Sequence, residues 1–386
     1  MQASNSCTPI ADHNGTIFVA IELSQRNWLV VMRSPDRDRI AHHKVAAGAF
    51  DSLLALIEMV KTRAVRKVGA APAVVSCYEA GYDGFWLHRR LTAAGISNFV
   101  FDPASIAVDQ RSRRAKTDRI DGELLLRTLM AHCRGEPRAV RIVRVPHRDQ
   151  EDARRNSRER QRLVQEQTAH INRIRALLRL VGLAAGNPRR RDWLQWLESQ
   201  RDWQGEPVPP RLQAELKREH ARLRLVSEQL DELAAAPSAA SVAAVPAAAA
   251  AMAERKALLQ RLKTLGPAFA GTLTDELFYK DFRNRREVAA YCGLAATPWR
   301  SGAMEREQGI SKAGNPRARH KAIELAWLWL RHQSDSALSR WFRQRTRDAN
   351  SRTRRIAIVA LARKLIVALW RYLTTGLVPE GALIKA

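Results

Sequence analysis

Four carboxylates and one hydroxyl in this sequence have neighbours and spacings that suit chemistry on a phosphodiester. Glu22 lies inside an apolar run, TIFVAIEL at 16–23, where an unpaired charge is costly to bury. Glu79 follows directly on another apolar run, AVVSCY at 73–78. Asp83 competes with it for one role, and Glu79 is preferred because it abuts the run. Asp118 and Asp121 occur in RRAKTDRIDGELLLR, at the i, i+3 spacing that puts both on one face of a helix, about 5–6 Å apart. Carboxylates from two strands and one helical pair can converge into the hard, oxygen-rich ligand set that Mg²⁺ prefers. Two such ions about 4 Å apart would activate an attacking group and stabilise a leaving oxygen. Plainer readings stand beside these. Glu22 could be a turn residue, and Asp118/Asp121 an ordinary solvated helix start with Thr117 or Asp118 as its cap. The basic run Arg111, Arg113, Arg114 and Lys116 just upstream favours the chemical reading, because acids beside a basic track suit metal chemistry on a nucleic acid.

The hydroxyl is Ser301, between Arg300 and Gly302 in AATPWRSGAMEREQGISKAGNPRAR, read here as a glycine-containing basic loop. A serine attacks phosphorus only when deprotonated or well aimed, and flanking arginines could stabilise the charge that builds up. On composition alone, a serine that simply starts a turn is the plainer reading. Ser311 is the weaker candidate. Asn315 followed by Pro316 signals a helix start, a cap and then proline at the first position. The open N–H groups of that helix, with Lys312, Arg317 and Arg319, are expected to form an anion site. LKTLGPAFAGTL at 262–273 reads as helix, Gly-Pro turn and helix. NRREVAAYC at 284–292 reads as a short helix capped by Asn284.

Charge points to the partner. The 386 residues carry 65 Lys and Arg against 39 Asp and Glu, a net +26. A surplus so rich in Arg expects a polyanion, since guanidinium groups fork onto phosphate oxygens. Binding should then weaken steeply as salt rises. The four cysteines, Cys7, Cys77, Cys133 and Cys292, lie far apart without zinc spacing, so buried free thiols in a reducing compartment are expected. No apolar run reaches membrane-spanning length and no signal segment opens the chain; a cytoplasmic protein without membrane contact is expected.

The elements that must position these groups follow from periodicity. Residues 1–15 read as a leader. Thr16–Leu23, Trp28–Arg33, Ala73–Tyr78 and Asn98–Asp102 read as strands, with helices over Phe50–Arg63 and Tyr82–Ala94, an α/β layer from 16 to 145. His147–Leu183 reads as one long exposed helix with an apolar stripe of Ile171, Ile174, Leu177, Leu178 and Leu180. With Pro210–Leu233 it could form an antiparallel coiled coil. Asn187–Pro209 reads as a Pro- and Trp-containing break, and Ala234–Ala251 as a low-complexity linker, closing a segment of 146–254. Residues 255–375 read as helical and basic, and 376–386 as a tail.

The blocks VAIELS, YEAGYDG, VFDPASIAVDQRSRRAKTDRIDGELL and YCGLAATPWRSGAMEREQGISKAGNPRAR resemble, in order, the signatures of the DEDD-type insertion-sequence transposases. These are relatives of the Piv invertases, and several are bridge-RNA-guided recombinases. The resemblance spans about 16–180 and 255–345. It implies an α/β RuvC-like (ribonuclease-H fold) N-terminal domain, a long helical coiled coil and a mainly α-helical C-terminal transposase domain. The family's acidic tetrad falls on Glu22, Glu79, Asp118 and Asp121, with Mg²⁺ or Mn²⁺ as cofactor, and its catalytic serine on Ser301. Serine attack, a phosphoserine–DNA intermediate and rejoining to a new partner are implied. The implied partners are the element's DNA and its target, an element-encoded guide RNA and other copies of the chain in a homodimer or homotetramer. One residue departs from the pattern: Glu22 stands where the family usually has Asp, carrying its carboxylate about 1.5 Å further out. The alternatives are a RuvC-like junction nuclease that uses the acids without Ser301, a non-catalytic nucleic-acid-packaging protein, and a degenerate transposase that binds without recombining.

Overall fold

A computed structural model describes residues 15–107, 117–136, 138–184, 186–235, 247–301 and 304–385, with the backbone alone for 247–249, 299–301 and 304–308. The chain divides into two compact units, up to Pro146 and from His147 onward. Arg111, Arg113, Arg114 and Lys116, and Cys7, lie outside the described residues.

The first unit is built on β1 (Thr16–Glu22), β2 (Asn27–Arg33), β3 (Ala41–Ala46), β4 (Ala73–Glu79) and β5 (Ser97–Phe101). They form one mixed sheet in the order β3-β2-β1-β4-β5. β1 pairs antiparallel with β2 and parallel with β4, while β4 pairs parallel with β5. The central strand is apolar at nearly every position because both of its faces are covered. Ile17, Val19 and Ile21 pack with α1 (Phe50–Val68) and α2 (Trp86–Ala93). Phe18 and Ala20 pack on the other face with Leu125, Leu126 and Leu129 of α3 (Asp118–Cys133).

The first unit departs from the sequence reading in places: α1 runs on to Val68 and does not end at Arg63. The second helix begins at Trp86, not Tyr82, because residues 81–85 form a turn that leaves Tyr82 fully exposed. β3 was not foreseen: AHHKVA has one buried residue in six, the polar texture of an edge strand.

The second unit is helical apart from one hairpin. α4 (Arg148–Arg179), α5 (Trp193–Ser199) and α6 (Pro210–Ala235) come first. Gln167 bonds Ser227, His170 meets Glu219 and Arg173 meets Glu215; partners that descend as α4 ascends mean that α4 and α6 run antiparallel. Ile174 and Leu178 are buried against Leu216 and Leu223. Leu180, expected in the same stripe, is 76% exposed, because α4 has ended at Arg179. The expected break at 187–209 holds α5, whose buried Trp193 stacks on His220 at 4.6 Å. Residues 236–246 of the Ala-rich stretch lie outside the described residues, and α7 (Ala247–Gln260) takes up its end.

The remaining helices are α8 (Pro267–Leu273), α9 (Arg285–Tyr291), α10 (Pro316–His332), α11 (Ala337–Arg345) and α12 (Ser351–Thr375). They enclose a core that includes Leu262, Leu277, Leu325, Trp329, Leu361 and Leu365. The stretch read as a basic loop is instead an antiparallel hairpin of β6 (Ala296–Ser301) and β7 (Met304–Ile310). The expected tail is stitched down as well. Lys263 N–H donates to Leu383 O, Lys385 N–H to Arg261 O and Ala337 N–H to Glu380 O, so the last residues close the base of the helical bundle. Among the described residues no helix is long and apolar enough to cross a membrane.

Candidate active site

The first unit collects the acids at one sheet edge by register. Glu22 is the last residue of β1 and Glu79 the last of β4. The two strands are parallel neighbours with Ile21 opposite Tyr78, so the next residues of both, Glu22 and Glu79, leave the sheet side by side. Side chains alternate between faces along a strand. Because Phe18, Ala20, Val75 and Cys77 all pack on the α3 face, Glu22 and Glu79 point to that face too. Cys77 reports the same geometry: burial pushes its thiol pKa up, and the charges of Cys133 and then Glu22 add to the rise. Glu22 is half-buried, and Glu79 and Asp83 are exposed. Asp83 lies beyond the strand end in the turn before α2.

α3 brings the other two acids to that face. Thr117, and not Asp118, caps the helix, its hydroxyl accepting from Ile120 N–H at 3.3 Å. Asp118 and Asp121 both lie in the first turn, where carboxylates are favoured by the helix dipole. Gly122 seats this turn on the sheet: a Cβ there would lie 2.6 Å from Val31 Cγ2 and 3.5 Å from Leu29 Cδ2, and Leu29 is the register partner of Glu22. Gly inside a helix costs about 1 kcal/mol against Ala, so close approach is what its place here supplies. Gly122→Ala is expected to lift the start of α3 and destabilise the first unit by about 1–3 kcal/mol. Chemical denaturation of the variant checks this; an unchanged or raised midpoint would contradict it.

The four acids thus share one face and one edge and are all hard oxygen donors, the ligand type that Mg²⁺ or Mn²⁺ takes. The side chains are not drawn into a finished cage. Among the described residues no group of three or more His, Cys, Asp or Glu is close enough to hold a metal ion. Next to Asp118 opens a cavity of about 560 Å³, lined also by Arg26, His42, Lys44 and Arg119. Of these, Arg26 and Lys44 are cations that suit a phosphate beside the acids. The sequence reading missed them, since His42 and Lys44 belong to the unforeseen β3 and Arg26 to the β1–β2 turn. His42 bonds Glu123 at 3.1 Å, and Arg119 and Arg127 share that carboxylate, so Glu123 is held away from the tetrad.

The second unit carries the remaining candidates. Ser301 ends β6 and pairs in register with Met304, which puts it at the hairpin tip with two residues between the strands. Arg300 precedes it in β6, and its side chain lies outside the described atoms. Beyond β7, Ser311 N–H donates to Ala295 O, and a tight turn leads into α10. Gly314 has φ +113, and a Cβ on it would lie 2.3 Å from Tyr291 O, so only glycine lets this turn close on the end of α9. The anion site expected here needs correction. Asn315 Oδ1 accepts from Arg317 N–H and Ala318 N–H at 3.0 and 3.1 Å, which fills the N–H groups thought open. Arg319 donates to the carbonyls of Lys312 and Cys292. Of the residues proposed for phosphate there, Lys312, at φ 55, keeps its cationic group for a ligand, Arg317 pairs with Glu276 at 3.8 Å, and Asn315 and Arg319 hold the turn together.

What fixes that turn is a carboxylate the sequence reading passed over. Glu276 lies in a π-helical turn, Thr274–Phe278, with its side chain 2% exposed. It accepts from Arg158 Nε and Nη2 at 2.7 and 3.2 Å and from Asn315 Nδ2 at 3.0 Å. Glu276 thus ties α4 to the cap of α10. Burial works against its charge, but the bonds from Arg158 and Asn315 outweigh it and hold its pKa below the ordinary value.

The neighbouring Asp275 goes the other way: burial, against opposing pulls from Lys256 and Arg154 and with a push from Glu276, raises its pKa to about 7. The folded state therefore keeps a proton on Asp275 that the unfolded chain has lost, and stability falls as pH rises from about 4 to about 7. Asp275→Asn is expected to match the native protein near pH 4 and to exceed it above pH 7 by on the order of 3 kcal/mol. Thermal denaturation across that range checks the sign; a variant less stable at pH 8 than at pH 4, relative to the native chain, would contradict it.

Comparison with known proteins adds an independent line. A family model described as "Transposase IS116/IS110/IS902 family" matches residues 256–341, and a second transposase model, of the DEDD IS110 type, matches 19–182. A Sinorhizobium fredii protein described as "Putative transposase y4rJ" is 46% identical over 381 residues, covering 96% of this chain and 95% of that one. A second protein of that organism, y4qE, carries the same description at 27% identity, over 69% of this chain and 62% of its own length. The match over 19–182 reaches from before Glu22 to beyond Asp121, and the match over 256–341 contains Ser301, Glu276 and Asn315.

Proposed function

Since the chain belongs to the IS116/IS110/IS902 family of insertion-sequence transposases, we propose that it moves its element by cutting DNA with Ser301 and rejoining it to a new partner, assisted by the acidic edge. The observation that carries the reading is the shared placement of Glu22 and Glu79 at adjacent parallel strand ends, on the face covered by the first turn of α3. Nothing in the packing of a sheet asks for two glutamates side by side at that edge.

In this mechanism Glu22, Glu79, Asp118 and Asp121 would hold Mg²⁺ or Mn²⁺, which supplies electrostatic stabilisation of the phosphorane-like charge and a route to activate the attacking oxygen. The cations beside Asp118 would bind the neighbouring phosphate and orient the strand. Ser301 Oγ forms a bond to phosphorus, one P–O bond to deoxyribose breaks, and the serine proton passes to the leaving oxygen. The hydroxyl of a different strand then attacks the phosphoserine, and Ser301 recovers its proton. Arg300 precedes Ser301 in sequence and would balance the charge of the reacting phosphate. The fold around the acids is then of the ribonuclease-H, RuvC-like kind, α4 and α6 act as a coiled coil, and two or four copies meet on DNA. An element-encoded RNA would choose target and donor by base pairing, leaving the protein to hold backbone and shape.

The rival junction nuclease uses the same edge and stops at hydrolysis. Product analysis separates the two. Incubated with its element's ends and a divalent ion, the purified chain should give joined strands without net loss of phosphodiester bonds. Only hydrolysed ends would favour the rival. DNA binding with neither product would favour a degenerate transposase.

A further inference from the structure

A second basic surface lies in the helical unit, apart from the hairpin tip. α12 has two apolar stripes. One, with Ile358, Leu361, Leu365 and Leu369, is buried in the core. The other, Ile356, Val359, Ala360, Val367 and Ala368, lines an open groove of about 1500 Å³. Ile356 is 62% exposed there, and Leu377, on the same groove, 70%. Arg352, Arg355, Arg363 and Arg371 punctuate the stripe on the same helix, and Arg285 and Arg286 of α9 reach the same groove. The acid in the lining, Glu380, is engaged by Arg340 at 3.2 Å, and Glu287 on α9 by Arg283 at 2.9 Å. Among the described residues no carboxylate pairs with any of those six arginines. Such a stripe of unneutralised cations over apolar side chains is unstable against an anion that also brings apolar surface.

We propose that this groove binds an unpaired DNA strand. A duplex presents sugar and phosphate outward and would leave the apolar stripe against water. An unpaired strand exposes base faces, which lose water against the aliphatic stripe while its phosphates reach the flanking guanidiniums. The chemistry of the lining narrows the ligand further. No Ser, Thr, Asn, Gln or Asp is among the described lining residues. The lining thus lacks the usual partners of a ribose 2′-hydroxyl, the group by which proteins tell RNA from DNA, and the carboxamides that read adenine edges. Binding is therefore tolerant of sequence. From Arg352 to Arg371 the helix advances roughly 29 Å at 1.5 Å per residue, space for about eight nucleotides at the 3.4 Å rise of a helical strand.

The assignment rests on the chain acting on DNA, but on neither Ser301 nor the acids, so it can fail while strand exchange survives, and the reverse. The test is fluorescence anisotropy on the full chain with a labelled 20-mer of oligo(dT), a 20-base-pair duplex and oligo(rU), across a salt series. The triple variant Arg355→Gln, Arg363→Gln, Arg371→Gln should bind oligo(dT) at least about tenfold more weakly, with a salt slope smaller by about 2, at roughly 0.7 per lost phosphate contact. Duplex affinity should change by less than about threefold. Ile356→Asp, which leaves every cation in place, should weaken oligo(dT) and spare the duplex. All four side chains are exposed, and unchanged melting curves check that the fold is intact. Unchanged oligo(dT) binding, an equal loss for the duplex, or a larger loss for oligo(rU) would each overturn the proposal; the last two would make the groove a duplex track or an RNA site.

Discussion

Ser301→Ala is expected to abolish strand rejoining, by at least about 10³-fold, while leaving the fold and DNA affinity as they were. Loss of a nucleophile that forms the covalent intermediate removes the whole pathway and not a share of it, the scale seen when a catalytic nucleophile is deleted. Stability should hardly move, because Ser301 ends β6 at the hairpin tip and the core of that unit is made by other residues. Ser301→Cys is the informative companion: a thiol of the same reach can attack phosphorus poorly but not zero, so weak residual cleavage is expected. The check is a strand-exchange assay with both variants. Exchange retained by the alanine variant would move the chemistry to water or to another residue and leave the acids as the sole centre.

Asp118→Asn and Glu79→Gln should each lower cleavage by roughly 10²–10⁴-fold, the several kcal/mol expected of a metal-borne charge on a phosphoryl transition state. Both substitutions keep the shape and remove one ligand charge. Both residues are exposed, so neither change should cost much stability. DNA binding ought to persist or tighten slightly, since a negative charge is removed from a site that meets phosphate. Glu22→Gln belongs to the same series with a further arm. Glu22→Asp restores the residue usual in the family, so it should equal or exceed the native chain if the longer side chain leaves the metal site loose. If the strand has settled to suit Glu22, the Asp variant should fall. The reading fails if the Asn and Gln variants cut DNA at the native rate with divalent ion present.

Much of the first unit was legible because its strands are buried on both faces and so read as apolar runs. An acid that interrupts or ends such a run, as Glu22 and Glu79 do, stands out. Their adjacency was not legible. It depends on β1 pairing with β4, 57 residues apart in the register Ile17↔Val74, which local periodicity cannot reveal. β3 escaped because an edge strand needs little apolar surface, and with it went His42 and Lys44 beside Asp118. The hairpin carrying Ser301 was read as a loop because Pro298 and five charged residues from Arg300 to Lys312 outweigh its alternation. Gly302-Ala303 between two short runs was the available cue, since a Gly-X pair favours a two-residue hairpin turn. Glu276 was out of reach of any local pattern: its partners Arg158 and Asn315 are 118 and 39 residues away, and a π-helical turn has no sequence signature of its own. The expected phosphate site at the start of α10 failed for an instructive reason. The residue that announces a helix start, Asn315, does so by filling the N–H groups that an anion would need.

Trapping and mapping the covalent species tests the proposed mechanism most directly. The purified chain is mixed with labelled element ends and divalent ion, quenched in denaturant, and separated by electrophoresis, and the DNA-linked band is digested and sequenced by mass spectrometry. The account predicts a protein–DNA adduct whose linked peptide carries the phosphate on Ser301, absent from Ser301→Ala and sharply reduced in Asp118→Asn. Strand exchange proceeding without any adduct, or an adduct on a different residue, would contradict it.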